Sequence, residues 1–157
     1  MGDFWKAQGP SKSEDWATPM EFFNLLDAEF GFNLDVCAAD WNRKCDHFYD
    51  KVVDGLTMNW SGARVWMNPP YGKTITEWLA KARSEVVHGC QVVVALIPAR
   101  TDTAWWHDHV EKKAEVRFVR GRLQFTRPDG TRGRCPFPSA VVIFRGLLDG
   151  RRIGVDT

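Results

Sequence analysis

Asparagine, two prolines and a tyrosine stand together as Asn68-Pro69-Pro70-Tyr71, within the stretch VWMNPPYGKT. The group combines an amide oxygen, a carbonyl on backbone whose φ is fixed by a pyrrolidine ring, and an aromatic face. Two rigidly held acceptors beside a flat ring suit the grip of a planar group that carries N–H donors, and the gain from such a device lies in preorganisation. A rigid turn with a packed tyrosine would use the same four residues, so their context has to decide. Acidic side chains recur upstream at Asp35 and Asp54, and Arg100-Thr101-Asp102 follows Pro98.

The context is a strand, a stiff loop and a helix start. Val65-Trp66-Met67 is apolar and partly β-branched, as an inner strand should be, and the prolines, lacking N–H donors, end it at Asn68. From Thr74 to Val87, residues Ile75, Trp78, Leu79, Ala82 and Val86 recur at helical spacing. Open α/β sheets take their ligands at such strand ends. Upstream, Thr18-Pro19 reads as a helix start, with Phe22, Phe23, Leu25, Leu26 and Phe30 as the apolar stripe and Gly31 as the stop. FNLDVCAA reads as a short strand running into a loop of small residues, and QVVVALIP as a central strand covered on both faces. TDTAWWHDHVEKK reads as a helix capped by Thr101 or Asp102. The alternating run from Glu115 to Gly146, broken at Asp129-Gly130, predicts strands around a hairpin-like excursion, with SAVVIF as the last strand. The expected fold is α/β, a mostly parallel central sheet with an antiparallel C-terminal edge hairpin.

With 157 residues the chain is one domain's worth, and a domain of that size buries roughly 70% of its unfolded surface. We expect a loose lead-in over residues 1–15 and a single domain over 16–157. The four cysteines show no paired spacing and are expected to be reduced thiols. Cys37, Cys45 and His47 lack a repeated metal-ligand spacing. No apolar run approaches the roughly 20 residues of a membrane span, and the polar start has no signal-peptide core, so the cytoplasm is the expected location. The net charge is only +1, but Arg117, Arg120, Arg122, Arg127, Arg132 and Arg134 crowd one segment among Phe118, Phe125 and Phe137. That pattern is compatible with a nucleic-acid surface and equally with a solvated hairpin.

WATPMEFF, LDVCAA, DGLTMNW and NPPY occur in the order seen in amino-directed DNA methyltransferases that use S-adenosylmethionine. With PARTDTAWWH and CPFPSAVVIF, the chain from about Trp16 to Phe144 is similar to the small phage and prophage Dam-like DNA N6-adenine methyltransferases. The resemblance implies a Rossmann-like class I methyltransferase fold, methyl transfer from S-adenosylmethionine to the N6 amine of adenine in DNA, no metal, and work in the host cytoplasm if phage-encoded. Adenine's amine is a poor nucleophile because its lone pair is conjugated into the ring. Acceptors at Asn68 Oδ1 and the Pro69 carbonyl, on a loop stiffened by Pro70, would draw it toward tetrahedral geometry, and Tyr71 would stack on a base that has left the duplex.

The same resemblance assigns Thr18, Pro19, Asp35, Cys37, Ala38, Asp54, Leu56 and Asn68 to the cofactor, with Thr18 on its carboxylate and Asp54 on its adenine amine. It assigns Tyr71, Arg100, Phe125, Arg127, Arg132 and Arg134 to DNA, and leaves Asp40 or Asp46 for the ribose. The usual glycine-rich loop is replaced by Cys37-Ala38-Ala39. Read without the resemblance, Thr18 is a helix cap, Asp54 a surface turn and Phe125 a core aromatic. Methylation of RNA or of a protein glutamine amide would make the same demand on NPPY, and a catalytically silent DNA-binding or cofactor-sensing protein is a third class.

Overall fold

A computed structural model describes residues 16–148 and the backbone of 151–152, so the lead-in expected over residues 1–15 lies outside the described residues. The elements are α1 (Met20–Phe30), β1 (Leu34–Asp35), a 3₁₀ turn (Gly55–Thr57), β2 (Arg64–Met67), α2 (Ile75–Val87), β3 (Val92–Pro98), α3 (Ala104–His109), β4 (Glu115–Phe118), β5 (Gln124–Thr126), β6 (Arg132–Arg134), β7 (Ser139–Arg145), β8 (Leu147–Leu148) and β9 (Arg151–Arg152). The central sheet runs β1-β2-β3-β7-β4. β1, β2 and β3 are parallel, while β7 lies antiparallel between β3 and β4. The α/β class and the mostly parallel sheet follow the sequence reading. The antiparallel strand, however, is an inner one, and the hairpin β5–β6 is a two-stranded sheet of its own rather than an edge of the central sheet.

Strict alternation along the strands explains the layering. Val93, Ala95 and Ile97 of β3 join Val65, Met67, Ala140 and Val142 under α2, which contributes Ile75, Trp78, Leu79, Ala82 and Val86. Val92, Val94 and Leu96 face the other way with Trp66, Val141 and Ile143, and are covered by Phe23 and Leu26 of α1 and by Phe125 and Cys135 of the hairpin. A strand apolar on both sides is stable only when both faces are covered, which these two layers provide.

Caps differ in detail from expectation. Pro19 is the N-cap of α1 and Thr18 makes no capping bond, while Gly31 ends the helix at φ 62 and donates its N–H to the Asp27 carbonyl at 2.8 Å. α3 is capped not by Thr101 or Asp102 but by Thr103, whose hydroxyl oxygen accepts from the Trp106 N–H at 3.3 Å.

The strand directions fix one rim. The carboxyl ends of β1, β2 and β3 share it, and β7 enters there because Ser139 pairs with Pro98. β4 leaves there because Phe118 pairs with Ala140. The chain between those two points, which contains the hairpin, therefore emerges beside the ends of β2 and β3. Ala17 ties it down by a two-way backbone bridge with Thr126, the N–H of each bonding the carbonyl of the other at 2.7 and 3.0 Å.

Candidate active site

Asn68 leaves β2 at the centre of this rim. Its Oδ1 accepts from the Tyr71 hydroxyl at 2.7 Å, and its Nδ2 donates to Thr18 Oγ1 at 3.2 Å. The Tyr71 hydroxyl also lies 3.2 Å from the Leu96 carbonyl of β3. Burial pushes the Tyr71 phenol well above its ordinary range, so it remains a neutral donor. The Tyr71 ring meets Phe137 nearly at right angles, centroids 5.6 Å apart, and the Arg100 guanidinium lies 5.2 Å above Phe137. The two prolines between Asn68 and Tyr71 let the chain turn back so that both side chains meet.

On the α2 side of the rim lies a cavity of about 400 Å³, lined by Cys37, Ala38, Trp41, Asp50, Asp54, Leu56, Pro70 and Trp78 among others. Asp54, Gly55 and Leu56, the start of DGLTMNW, form part of its wall. Asp54, at a left-handed φ of 59, accepts the Leu56 N–H at 3.1 Å and so starts the 3₁₀ turn. Gly55 packs so closely on β1's continuation that a side chain would overlap the Val36 carbonyl. Trp60 Nε1 fixes the turn by donating to the Gly55 carbonyl at 3.0 Å.

A narrow polar crevice of about 10 Å³, sharing Cys37 with this cavity, is lined by Trp16, Thr18, Asp35, Cys37, Asn42, Lys44, Trp66 and Asn68. Asp35 is 2% exposed. Burial pushes its carboxyl up to about 6, against the opposing pull of the Lys44 and Cys37 backbone N–H groups, which reach its oxygens at 3.0 and 3.3 Å. Burial and the charges of Asp35 and Asp54 push the Cys37 thiol well up, so it is an inert lining group rather than a nucleophile.

On the hairpin side, Arg120, Arg122, Arg132 and Arg134 are exposed. Arg127 is held within the hairpin, its Nη1 donating to Thr131 Oγ1 and the Arg132 carbonyl, each at 3.3 Å, with its guanidinium 5.6 Å over Trp16. Arg117 is bound bidentately by Glu29 at 2.6 and 2.8 Å and belongs to the scaffold.

Residues 7–154 match the family described as DNA N-6-adenine-methyltransferase (Dam). The chain belongs to that family. The DNA N-6-adenine-methyltransferase of Escherichia phage T1 is 31% identical over 110 residues, 69% of this chain and 45% of the relative. That of Haemophilus phage HP1 is 32% identical over 111 residues, 69% of this chain and 64% of the relative. The chain thus spans less than two thirds of either relative's length. Its fold resembles the crystal structure of a candidate RNA methyltransferase from Pyrococcus horikoshii, with a TM-score of 0.56 and 14% identity over 92% of this chain and 91% of that one. Family and fold together imply an S-adenosylmethionine-type methyl donor.

Within this Dam-family frame the structure gathers Asn68 with Tyr71 and Thr18, and Asp35, Cys37, Ala38, Asp54, Leu56 and Pro70 around the adjoining cavities. Other assignments are corrected. Phe125 is 2% exposed, packed into the core with Trp16 at 5.8 Å, and has no face to offer a base. Phe137 occupies the rim instead. Pro19 lines neither the cavity nor the crevice. Asp40 is exposed beside Arg43, and neither it nor Asp46 lines the cavity, whereas Asp50 does. The reason is the parallel bridge of Phe48 with Asp35, a one-residue vestige of a strand that carries the following Asp50 to the same rim as β1. Asn42, Lys44 and Trp41 also line these cavities without a signal in the sequence, and Trp78, expected only as a helix core residue, lines the larger one. The aromatic pair Phe48-Tyr49 ahead of an acid was the available signal for Asp50.

Proposed function

We propose that the chain transfers a methyl group from S-adenosylmethionine to the N6 amine of adenine in DNA. The observation that carries this reading is the setting of Asn68: its amide is held by Tyr71 and Thr18 and lines a crevice with Asp35 and Cys37, the last of which also lines the larger cavity. The residues fit the donor. Asp35 and Lys44 supply groups of opposite charge, as an amino-acid zwitterion requires, beside a crevice of about 10 Å³ that must widen to take one; burial lowers the Lys44 ammonium, which donates to Met20 Sδ at 3.2 Å. Asp50 and Asp54 offer acceptors to ribose hydroxyls and an adenine amine, and the cavity volume is that of a small-molecule site.

When bound, the cofactor supplies an electrophilic methyl on sulfur. Asn68 Oδ1 holds a second lone pair beyond the one taken by Tyr71, and the Pro69 carbonyl is a further acceptor on the same loop. Both would take the two N–H groups of the amine and stabilise its developing positive charge. An amide oxygen is too weak a base to take a proton, so the amine's surplus proton would pass to solvent water after transfer. Tyr71 and Phe137 supply aromatic surface to a base removed from its stack, and Arg100, Arg122, Arg132 and Arg134 supply cations to its backbone.

Labelled methyl from the cofactor, offered in parallel to DNA, RNA and protein and followed by nucleoside analysis, tests the proposal. Label in N6-methyladenine from DNA is expected. Label only in RNA or in glutamine, or in none of the three, overturns it.

A further inference from the structure

An amide is nearly symmetric in shape, so Asn68 can present either its oxygen or its NH₂ to the amine, and only its hydrogen-bond partners decide which. Both partners in this structure are hydroxyls, Tyr71 on one arm and Thr18 on the other, and a hydroxyl can donate or accept. Were the amide reversed, Tyr71 could donate to the Leu96 carbonyl at 3.2 Å while accepting from Nδ2, and Thr18 could donate to Oδ1. The two orientations are therefore close in energy until something claims one of the hydroxyl protons.

Thr18 is where that claim falls. It is 3% exposed, and α1 makes no use of its hydroxyl. Among the residues lining the polar crevice it carries the one hydroxyl. Its backbone is fixed on one side by the Ala17 bridge to Thr126 and on the other by Pro19, whose carbonyl accepts from Phe23 at 3.0 Å. The crevice holds about 10 Å³, so an anionic group has to widen it to reach Thr18, and there it meets the Thr18 proton as the hydroxyl donor.

We infer that Thr18 is a positioning residue that couples the cofactor's carboxylate to the orientation of the Asn68 amide. With its single proton given to the carboxylate, Thr18 can only accept from Nδ2, and the amide is held with Oδ1 toward the amine. The inference rests on the reaction proposed above and adds that the cofactor arms the acceptor through Thr18.

The test uses Thr18→Val and Thr18→Ser. At saturating cofactor the valine form should lose about 10- to 100-fold in kcat, less than the 10²–10³ that removal of a preorganised group brings, and the serine form should restore most of it. A second readout needs no turnover. In ¹⁵N-labelled protein the Asn68 side-chain amide resonance, identified by its loss in Asn68→Ala, should shift when S-adenosylhomocysteine binds. It should not shift with 5′-methylthioadenosine, which lacks the amino-acid end, nor with either ligand in Thr18→Val. A valine form with wild-type kcat at saturation and only a weaker cofactor Kd overturns the coupling, as does a serine form as slow as the valine. Should the valine form not fold, Thr18→Ala against Thr18→Ser poses the same comparison. If the wild type methylates no DNA, the reaction reading fails, and the amide resonance still decides the role of Thr18.

Discussion

If Asp35 holds the cofactor's ammonium as proposed, cofactor affinity should depend on pH in a calculable way. The Asp35 carboxyl is held up at about 6 because burial favours the neutral form. Pairing with the cofactor's ammonium requires the ionised form, so a proton must leave on binding and acid must oppose it. At pH 5 only about one Asp35 in eleven is ionised, so Kd should rise about elevenfold over its best value, about 1.4 kcal/mol, and by about tenfold for each further unit below. The opposite limb belongs to the ligand, whose α-amino group loses its proton near about 7.7–8.0. Affinity for S-adenosylhomocysteine should therefore be bell-shaped, greatest near neutrality. Lys44 is the charged neighbour on the crevice wall; burial lowers its ammonium from the ordinary range and the Asp35 carboxylate opposes that shift. Calorimetry from pH 5 to 8.5 measures the curve. In Asp35→Asn the acid limb should vanish and the affinity at neutrality should fall. A flat acid limb in the wild type, or an unchanged one in the asparagine form, refutes a role for Asp35 in holding the ammonium.

Three other outcomes are expected. Asn68→Ala should lower kcat by about 10²–10³ with cofactor Kd preserved, because it removes one preorganised acceptor; single-turnover methylation measures it, and near-wild-type rates contradict the mechanism. Gly55→Ala should cost about 1–3 kcal/mol of stability and weaken cofactor binding, because the added methyl meets the Val36 backbone and displaces the turn bearing Asp54 and Leu56; thermal melting with calorimetry shows both effects or neither. Replacing the exposed Arg122, Arg132 and Arg134 by alanine should flatten the slope of log affinity against log salt on duplex DNA by up to about 2.7, whereas Arg127→Ala should chiefly loosen the hairpin; an unaltered slope in the triple variant moves the DNA surface elsewhere.

Strand and helix positions in the first two thirds of the chain were legible because their cause is local: the β3 run of apolar residues, the helical spacing over α2, and the glycine that ends α1. Asn68, Tyr71, Asp35 and Asp54 were legible because each lies where a strand or turn must stop. Phe125 and Phe137 were not separable, since both are aromatic residues in one alternating, arginine-bearing segment, and only packing against Trp16 or against Tyr71 tells them apart. Asp50 was missed because its strand is a single bridge, too short to leave a periodic pattern. Thr18 read both as a helix cap and as a contact to the cofactor carboxylate, and its hydrogen bond to Asn68 crosses fifty residues of sequence.

The hairpin's construction bears on how such proteins diversify. Its roots, Phe125 and Cys135, are locked into the core, but the tip from Pro128 to Arg132 is exposed and forms no part of the central sheet. Mutations in the tip are thereby uncoupled from the stability of the central sheet, so if the tip touches DNA as proposed, a lineage can sample new preferences there without first acquiring stabilising changes elsewhere. Exchange of residues 128–132 between relatives, with the roots kept, is the smallest graft by which a target preference could be moved from one scaffold to another.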